Sequence, residues 1–69
     1  MDKLKSLLEE EDISYQEVEE PTKALKVGSA FAYYSDHFGS WIVDYPLKSR
    51  TFDNENEVVK NLDIYTSSF

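Results

Sequence analysis

The feature that most constrains the fold is a long run of alternating residues in the middle of the chain. Residues 24–34 place successive side chains on two faces, with the period of two that is typical of a β-strand. A turn-forming segment, residues 35–40, follows. Residues 41–45 then alternate again until Pro46, which has no N–H to donate to a sheet. This pattern predicts a β-hairpin from about residue 30 to 45, with Gly28 marking a kink or a bulge.

Helical patterns flank this run on both sides. Near the N-terminus, i, i+3, i+4 spacing places three leucines on one helix face: Leu4, Leu7 and Leu8. This helix is expected to end near Glu11, and residues 13–18 to form a short edge strand. Asn54 with Glu57 fits a capping box at the start of a second helix. That helix carries an apolar stripe formed by Val58, Leu62, Tyr65 and Phe69.

Together these elements predict an α+β fold, a small single domain over residues 1–69 in the order α-β-β-β-α. The antiparallel sheet is expected to have three strands, or four if residues 47–52 add one, with two helices packed on one face. Four aromatic residues at strand spacing are expected in the core: Phe31, Tyr33, Trp41 and Tyr45. Because the chain has no cysteine for a disulfide or a thiolate metal site, apolar packing has to supply its stability.

The charge of the chain is unevenly distributed. Residues 1–20 contain eight acids and two bases, residues 21–52 two acids and four bases, and residues 53–69 four acids and one base, for a net charge of −7. Nucleic-acid binding draws most of its affinity from neutralised phosphates, so this charge argues against direct binding to nucleic acid. Anionic membrane surfaces are disfavoured for the same reason, and no apolar run is long enough for a membrane span or a signal peptide. We therefore expect a cytoplasmic protein.

No sequence motif predicts catalysis or cofactor binding. The single histidine, His37, lies beside Ser35 and Asp36 in the hairpin turn, where neighbouring side chains point apart and do not form a triad. Residues 53–58 alternate acids as a calcium loop does, but Val58 stands where that loop needs glycine. A helix N-terminus explains these acids more simply. We therefore predict a protein that is not an enzyme and has no metal or cofactor.

The densest charge is a run of seven carboxylates within residues 9–20, without a lysine or arginine: Glu9, Glu10, Glu11, Asp12, Glu17, Glu19 and Glu20. Charges on an edge strand prevent other chains from pairing with it, which explains the last three. The first four fall at a helix C-terminus, where each exposed carboxylate costs roughly 0.3–1 kcal/mol against the helix dipole. Folding does not explain their position. We predict that the seven acids form a protein-binding patch for a basic surface of a partner.

A second hypothesis places the interaction surface on aromatic and apolar side chains. Tyr34 and Ile42 are expected on the sheet face opposite the helices, with Phe38 in the adjoining turn. Aromatic residues are enriched in interface hot spots, so these three residues are candidate contacts of a homodimer or a larger homo-oligomer. Under this hypothesis the acidity of the chain serves only its solubility.

A sharper form of the acidic-patch hypothesis is a DNA mimic, in which carboxylates occupy the phosphate-binding track of a nucleic-acid enzyme. In size, acidity and mixed helix–sheet order, the chain resembles small phage-encoded inhibitors, including some anti-CRISPR proteins. No motif carries this resemblance, so it assigns no role to any residue.

Overall fold

The structure, a computed structural model, describes residues 1–19 and 22–67. Within them it shows a small α+β domain with two helices and five strands. The elements follow in the order α1 (Asp2–Glu10), β1 (Gln16–Val18), β2 (Ala24–Val27), β3 (Ala30–Ser35), β4 (Ser40–Asp44), β5 (Ser49–Phe52) and α2 (Glu55–Ser67). The strands pair antiparallel in chain order, so β1 and β5 are the edges of one sheet. The α+β prediction is confirmed, whereas the predicted count of three or four strands is wrong.

One of the additional strands arises at Gly28. This residue has a φ of +61°, a conformation that residues with a Cβ rarely adopt. With Ser29 it forms a tight turn between Val27 and its pairing partner Ala30. The expected kink is therefore a full reversal of the chain, which divides the long alternating run into β2 and β3.

The reversal changes which side chains share a face of the sheet. Val27 and Ala30 pair directly, and both are buried under the helices. Phe31 and Tyr33, which were expected in the core, lie on the opposite face, where Tyr33 pairs with Ile42. The core prediction is wrong for these two residues. The prediction is confirmed for Trp41, which belongs to the core, and for Tyr45, which packs against it.

The other additional strand, β5, forms from the segment that the sequence left open. Pro46 and Leu47 form a tight turn in which the N–H of Tyr45 donates to the carbonyl of Lys48 at 2.7 Å. The chain then returns along β4 as an edge strand. At the other edge, β1 is shorter than predicted, because Ile13 turns into the core instead of extending the strand.

The end of the first helix and the start of the second lie close to the positions predicted from the sequence. Helix α1 ends with Glu11 as its C-cap, and α2 begins at Glu55. The Asn54 side chain accepts a hydrogen bond from the N–H of Glu57 at 3.0 Å, as the capping box predicts. In return, the Glu57 carboxylate accepts a hydrogen bond from the N–H of Asp53 at 3.1 Å.

The core lies between the helices and one face of the sheet. It is formed by the following buried residues of the described chain: Leu4, Leu8, Ile13, Leu25, Val27, Ala30, Ala32, Trp41, Val43, Val58, Val59 and Leu62. The helix arrangement differs in detail from the prediction, since α2 packs over β4 and β5 while α1 packs mainly beside α2. Of the stripe predicted on α2, Val58 and Leu62 are fully buried and Tyr65 is half-buried, while Phe69 lies outside the described residues.

Candidate functional site

Four of the seven predicted acidic residues lie together at the C-terminal end of α1. Glu9 and Glu10 occupy its last turn. Glu11 is the C-cap, and Asp12 follows it. All four are exposed. We call these four residues the helix-end cluster.

The backbone at this end of α1 forms a Schellman motif. The N–H of Ile13 donates to the carbonyl of Leu8 at 2.9 Å, and the N–H of Asp12 donates to the carbonyl of Glu9 at 3.1 Å. Asp12 occupies the left-handed position of the motif, with a φ of +56°, where glycine is the usual residue. Leu8 and Ile13 both belong to the core, so the base of the helix-end cluster is anchored to the interior.

Two energetic effects make this position unfavourable for acidic residues. A residue with a Cβ loses roughly 1–2 kcal/mol in the left-handed conformation, although aspartate tolerates it better than most. Each carboxylate at the C-terminus of a helix also faces the negative end of the helix dipole, at about 0.3–1 kcal/mol. Glycine at the left-handed position would remove the backbone strain, and basic residues in the last turn would interact favourably with the helix dipole. The fold therefore does not dictate the residue types of the helix-end cluster.

The helix-end cluster has no cationic partner within the described residues. Across residues 1–19 and 22–67 the structure contains one ion pair, between Lys5 and Glu17. None of the four carboxylates of the cluster takes part in it. Their negative charge therefore reaches the solvent without being neutralised by a neighbouring lysine or arginine.

A tyrosine hydroxyl contacts the helix-end cluster, and residues of α2 border it. The Tyr15 hydroxyl donates a hydrogen bond to Glu9 at 3.4 Å. Loss of solvent around the ring raises the pKa of Tyr15, and the charge of Glu9 raises it further. Glu11 borders a shallow depression together with Lys60 and Asp63 of α2. The cluster thus continues towards α2, where a base and an acid lie side by side.

Of the remaining predicted acids, the structure describes Glu17 and Glu19, which lie near the other end of α1. Glu17 and Glu19 border a shallow depression together with Lys5 and Lys23. The Glu17 carboxylate pairs with Lys5, and the hydrogen bond between them raises the pKa of Lys5. Because β1 is an edge strand, edge protection and this ion pair account for Glu17. Glu20 lies outside the described residues. The predicted patch is therefore divided, and four of its exposed carboxylates that take part in no ion pair among the described residues lie together in the helix-end cluster.

The three residues of the second hypothesis do not share one face of the sheet. Tyr34 pairs with Trp41 on the helix-covered face, and their rings meet edge-on with centroids 5.5 Å apart. Ile42 pairs with Tyr33 on the opposite face and is 8% exposed. Phe38 is 67% exposed in the hairpin turn. The expected grouping of Tyr34 with Ile42 is wrong, because the length of the hairpin turn sets Tyr34 opposite Trp41.

The sheet face away from the helices, which we call the open face, carries other aromatic residues. Phe31 is 36% exposed there, with Lys26 Nζ 5.9 Å from the centroid of its ring. The Tyr33 hydroxyl donates to the Asp44 carboxylate at 3.1 Å, and the Ser49 hydroxyl donates to the other oxygen of Asp44. Burial raises the pKa of Tyr33, and the hydrogen bond to Asp44 and its charge add to the rise. These contacts hold the polar groups of the open face in place.

Sequence reasoning missed a groove between the β4–β5 turn and α2. Its volume is about 520 Å³. The groove combines residues around Leu47, a segment that the sequence left open as a strand or a loop, with residues beside the predicted stripe of α2, such as Ile64. In the sequence this groove is signalled only by a leucine directly after Pro46, and a single leucine in such a segment is unremarkable, since lone exposed leucines are common on protein surfaces.

The structure also bears on three features examined in the sequence: His37, the possibility of a metal site and the possibility of a membrane span. His37 is exposed in the hairpin turn, with its ring edge-on to that of Phe38 at 4.9 Å between centroids. In the described part of the chain, no group of three or more His, Cys, Asp or Glu residues is placed to hold a metal ion. Neither of the helices described there is long and apolar enough to cross a membrane.

No family model, no curated protein and no solved structure matches the chain. Function is therefore inferred from the surfaces of the molecule itself.

Proposed function

We propose that the protein is a small acidic interaction module that binds a basic surface of a partner protein through its helix-end cluster. The observation that carries the proposal is Asp12, which takes the left-handed position of the Schellman motif directly after three glutamates. Glycine at this position and neutral or basic residues in the last turn favour folding. A recognition role supplies the reason for residues that folding disfavours, since local strain in a stable fold is concentrated at functional sites.

The charge of the helix-end cluster defines the kind of partner. Exposed charges act over about 8–10 Å at ordinary ionic strength, and complementary charges increase association rates and fix specificity. The partner therefore presents clustered lysine and arginine side chains. In the narrower form of the proposal the partner is a nucleic-acid enzyme, and the module is a DNA mimic whose carboxylates occupy the residues that otherwise bind phosphates.

Affinity capture with a charge-reversed variant tests the proposal. Tagged wild-type protein is expected to capture a partner from a lysate of its native host, and Glu10→Lys/Glu11→Lys to lose it. Both positions are exposed, and lysine at a helix C-terminus is favourable, so the variant is expected to stay folded. The matched control is Asp36→Lys/Asp53→Lys, which makes the same change in net charge at exposed positions outside the cluster.

Calorimetry with the purified partner then measures the electrostatic part of binding. The affinity of the wild-type protein is expected to fall steeply as salt is added. Equal affinities for the wild-type protein and Glu10→Lys/Glu11→Lys would remove the helix-end cluster from the interface. Competition with duplex DNA tests the narrower form, because simultaneous binding of DNA and module to the partner excludes mimicry while leaving acidic docking in place.

A second candidate function, a structural or accessory homo-oligomer, is favoured by the open face. Phe31 is 36% exposed there, on the same face as Tyr33 and Ile42, and the core residues of both described helices lie on the other side of the sheet. Two open faces stacked together bury these side chains, as sheets do in β-sandwiches. Sedimentation tests this candidate. A dimer that Phe31→Asp converts to a monomer supports it, and a wild-type monomer at all accessible concentrations excludes it.

A further inference from the structure

The groove between the β4–β5 turn and α2 has the shape and lining of a binding surface. Its volume of about 520 Å³ lies within the range of protein ligand sites. The rings of Tyr45 and Tyr65 meet with centroids 4.8 Å apart and form part of its lining. Leu47 is 98% exposed at the tip of the turn, and Ile64 is 59% exposed on α2. Apolar side chains thus face the solvent on two sides of one concave surface.

The charge around this groove is opposite to that of the whole chain. Lys48 and Arg50 both line it, and none of its described lining residues is acidic, although the chain has fourteen acids and seven bases. Arg50 pairs with Val43 in the sheet, which places its side chain on the helix-covered face. Its charge acts on Tyr45, whose pKa is raised by burial and partly lowered by Arg50. The groove therefore attracts carboxylates.

The turn holds the exposed leucine of the groove in a fixed position. Tyr45 and Lys48 exchange two backbone hydrogen bonds, of 2.7 Å and 3.4 Å, across the tip. Pro46 within the turn has a restricted φ. Leu47 is thus presented to solvent by a constrained backbone, so little backbone conformational entropy is lost when a partner covers it. Tyrosine and arginine, both present here, are residue types enriched in interface hot spots.

We propose that this groove binds an acidic segment of a partner protein, one that presents apolar side chains between its carboxylates. The apolar side chains of the segment cover Leu47 and Ile64, and its carboxylates pair with Lys48 and Arg50. This surface is separate from the helix-end cluster and of opposite charge. The module then has one surface for a basic partner and another for an acidic one.

A second copy of this chain is a poorer occupant of the groove than a partner segment. The helix-end cluster of a second copy supplies carboxylates, but the apolar residues next to it, Leu8 and Ile13, are buried in its own core. Such a contact leaves Leu47 and Ile64 uncovered. The chemistry of the groove is matched only when carboxylates and exposed apolar side chains occur in the same segment.

A synthetic probe peptide tests the proposal. The probe is a fluorescein-labelled octapeptide, Glu-Leu-Asp-Phe-Glu-Leu-Asp-Phe, and the matched peptide has glutamine and asparagine in place of the acids. We expect the acidic probe to shift the amide resonances of Leu47, Lys48 and Ile64 in two-dimensional NMR spectra of the full chain. We expect the neutral peptide to bind several-fold more weakly.

Variants of the groove separate specific binding from a general charge effect. Lys48→Glu/Arg50→Glu is expected to weaken probe binding by about tenfold or more, since two favourable charge contacts become repulsive. Lys3→Glu/Lys23→Glu makes the same change in net charge at exposed positions elsewhere and is expected to keep the affinity within about twofold. Leu47→Asp alters a side chain that is 98% exposed, so it preserves the fold and is also expected to lose binding.

Several outcomes overturn the proposal. One is the absence of probe binding to the wild-type protein, and another is an equal loss of affinity in the two double variants. Shifts confined to the open face place the probe elsewhere. Sedimentation that shows a dimer disrupted by Lys48→Glu/Arg50→Glu assigns the groove to a second copy of the chain instead.

Discussion

At the scale of single residues, Asp12 is unfavourable for folding but contributes charge to the proposed binding surface. Its left-handed φ of +56° and its place at the negative end of α1 both favour glycine. Its carboxylate extends the charge of the three preceding glutamates. Asp12 therefore lowers the stability of the fold while it is expected to raise the affinity for a partner, a trade-off that is common at functional positions.

Replacing Asp12 with glycine is expected to stabilise the protein by about 1 kcal/mol. Relief of roughly 1–2 kcal/mol of backbone strain and about 0.3–1 kcal/mol of charge repulsion outweighs the roughly 0.4–1 kcal/mol that glycine adds in unfolded-state entropy. In calorimetry of a chain of this size, the Tm rises by about 4–8 °C. Asp12→Asn is the control, since it removes only the charge, and we expect a smaller gain. A lower Tm for Asp12→Gly would show that the carboxylate supports the helix end.

Deprotonation of Tyr33 is expected to lower the stability of the protein at alkaline pH. Its folded-state pKa is raised above the ordinary value of 10.0, first by burial and then by Asp44. Tyr15 and Tyr45 shift in the same direction. Because these folded-state pKa values lie above the unfolded ones, their contribution is complete below about pH 10 and is lost as the pH rises through the folded-state values. We expect the urea midpoint to fall in that alkaline range.

The variant Asp44→Asn isolates the contribution of Tyr33 to this pH dependence. The loss of the carboxylate is expected to lower the pKa of Tyr33 towards its ordinary value, which ultraviolet titration of tyrosinate measures. The alkaline loss of stability then becomes smaller, because the folded-state pKa of Tyr33 moves towards the unfolded-state value while the onset at about pH 10 stays the same. Tyr33→Phe identifies the titration step that belongs to this residue. An unchanged pKa in Asp44→Asn contradicts the assigned role of the carboxylate.

At the scale of secondary-structure elements, the helices were predictable and the division of the sheet was not. Helix limits are encoded locally, for example by the cap at Asn54. Gly28 and Ser29 within an alternating run are equally compatible with a bulge and with a tight turn. The structure adopts the turn, with Gly28 packed near Tyr65 of α2. The choice depends on tertiary contacts that a local pattern does not contain, and the predicted positions of Phe31 and Tyr33 were wrong for that reason.

Replacing Gly28 with alanine is expected to destabilise the protein by roughly 1 kcal/mol, because the strain of a positive φ exceeds the gain in unfolded-state entropy. A Cβ at this position lies 3.7 Å from Tyr65 Cε2, an ordinary contact, so backbone strain accounts for the loss. Asparagine tolerates the left-handed conformation better, and Gly28→Asn is expected to lose less. Urea denaturation measures both. Equal losses for the two variants argue for a steric cause.

At the scale of the whole molecule, the position of a charge in the sequence was a poor guide to its surroundings. The seven carboxylates of residues 9–20 were predicted as one patch, but Glu17 pairs with Lys5 of α1. The groove was not predictable at all. Its two sides come from residues 45–50 and 61–65, and most of these have no charge or motif to connect them. Both outcomes depend on how β1 and the β4–β5 turn are placed against the helices.

The excess of negative charge is expected to make the protein more stable in moderate salt. With a net charge of −7 and one ion pair across the described residues, repulsion between like charges outweighs attraction. Raising the ionic strength from about 0.01 M to about 0.15 M shortens the screening length from about 30 Å to about 8 Å. The urea midpoint should rise. Glu10→Lys/Glu11→Lys, with two negative charges replaced by two positive ones, should respond less. A midpoint that falls with salt would show that attractive pairs dominate.

The chain-order pairing of the five strands has a consequence for how the protein folds. Each pairing closes a short loop, so little chain entropy opposes formation of the sheet. Packing of α1 against α2 brings together opposite ends of the chain. Because closing this long loop costs more chain entropy, we expect this contact to form more slowly than the strand pairs. The sheet is therefore the expected folding nucleus, and α1 docks late. Weakening the contacts of α1 should then accelerate unfolding and leave the refolding rate almost unchanged.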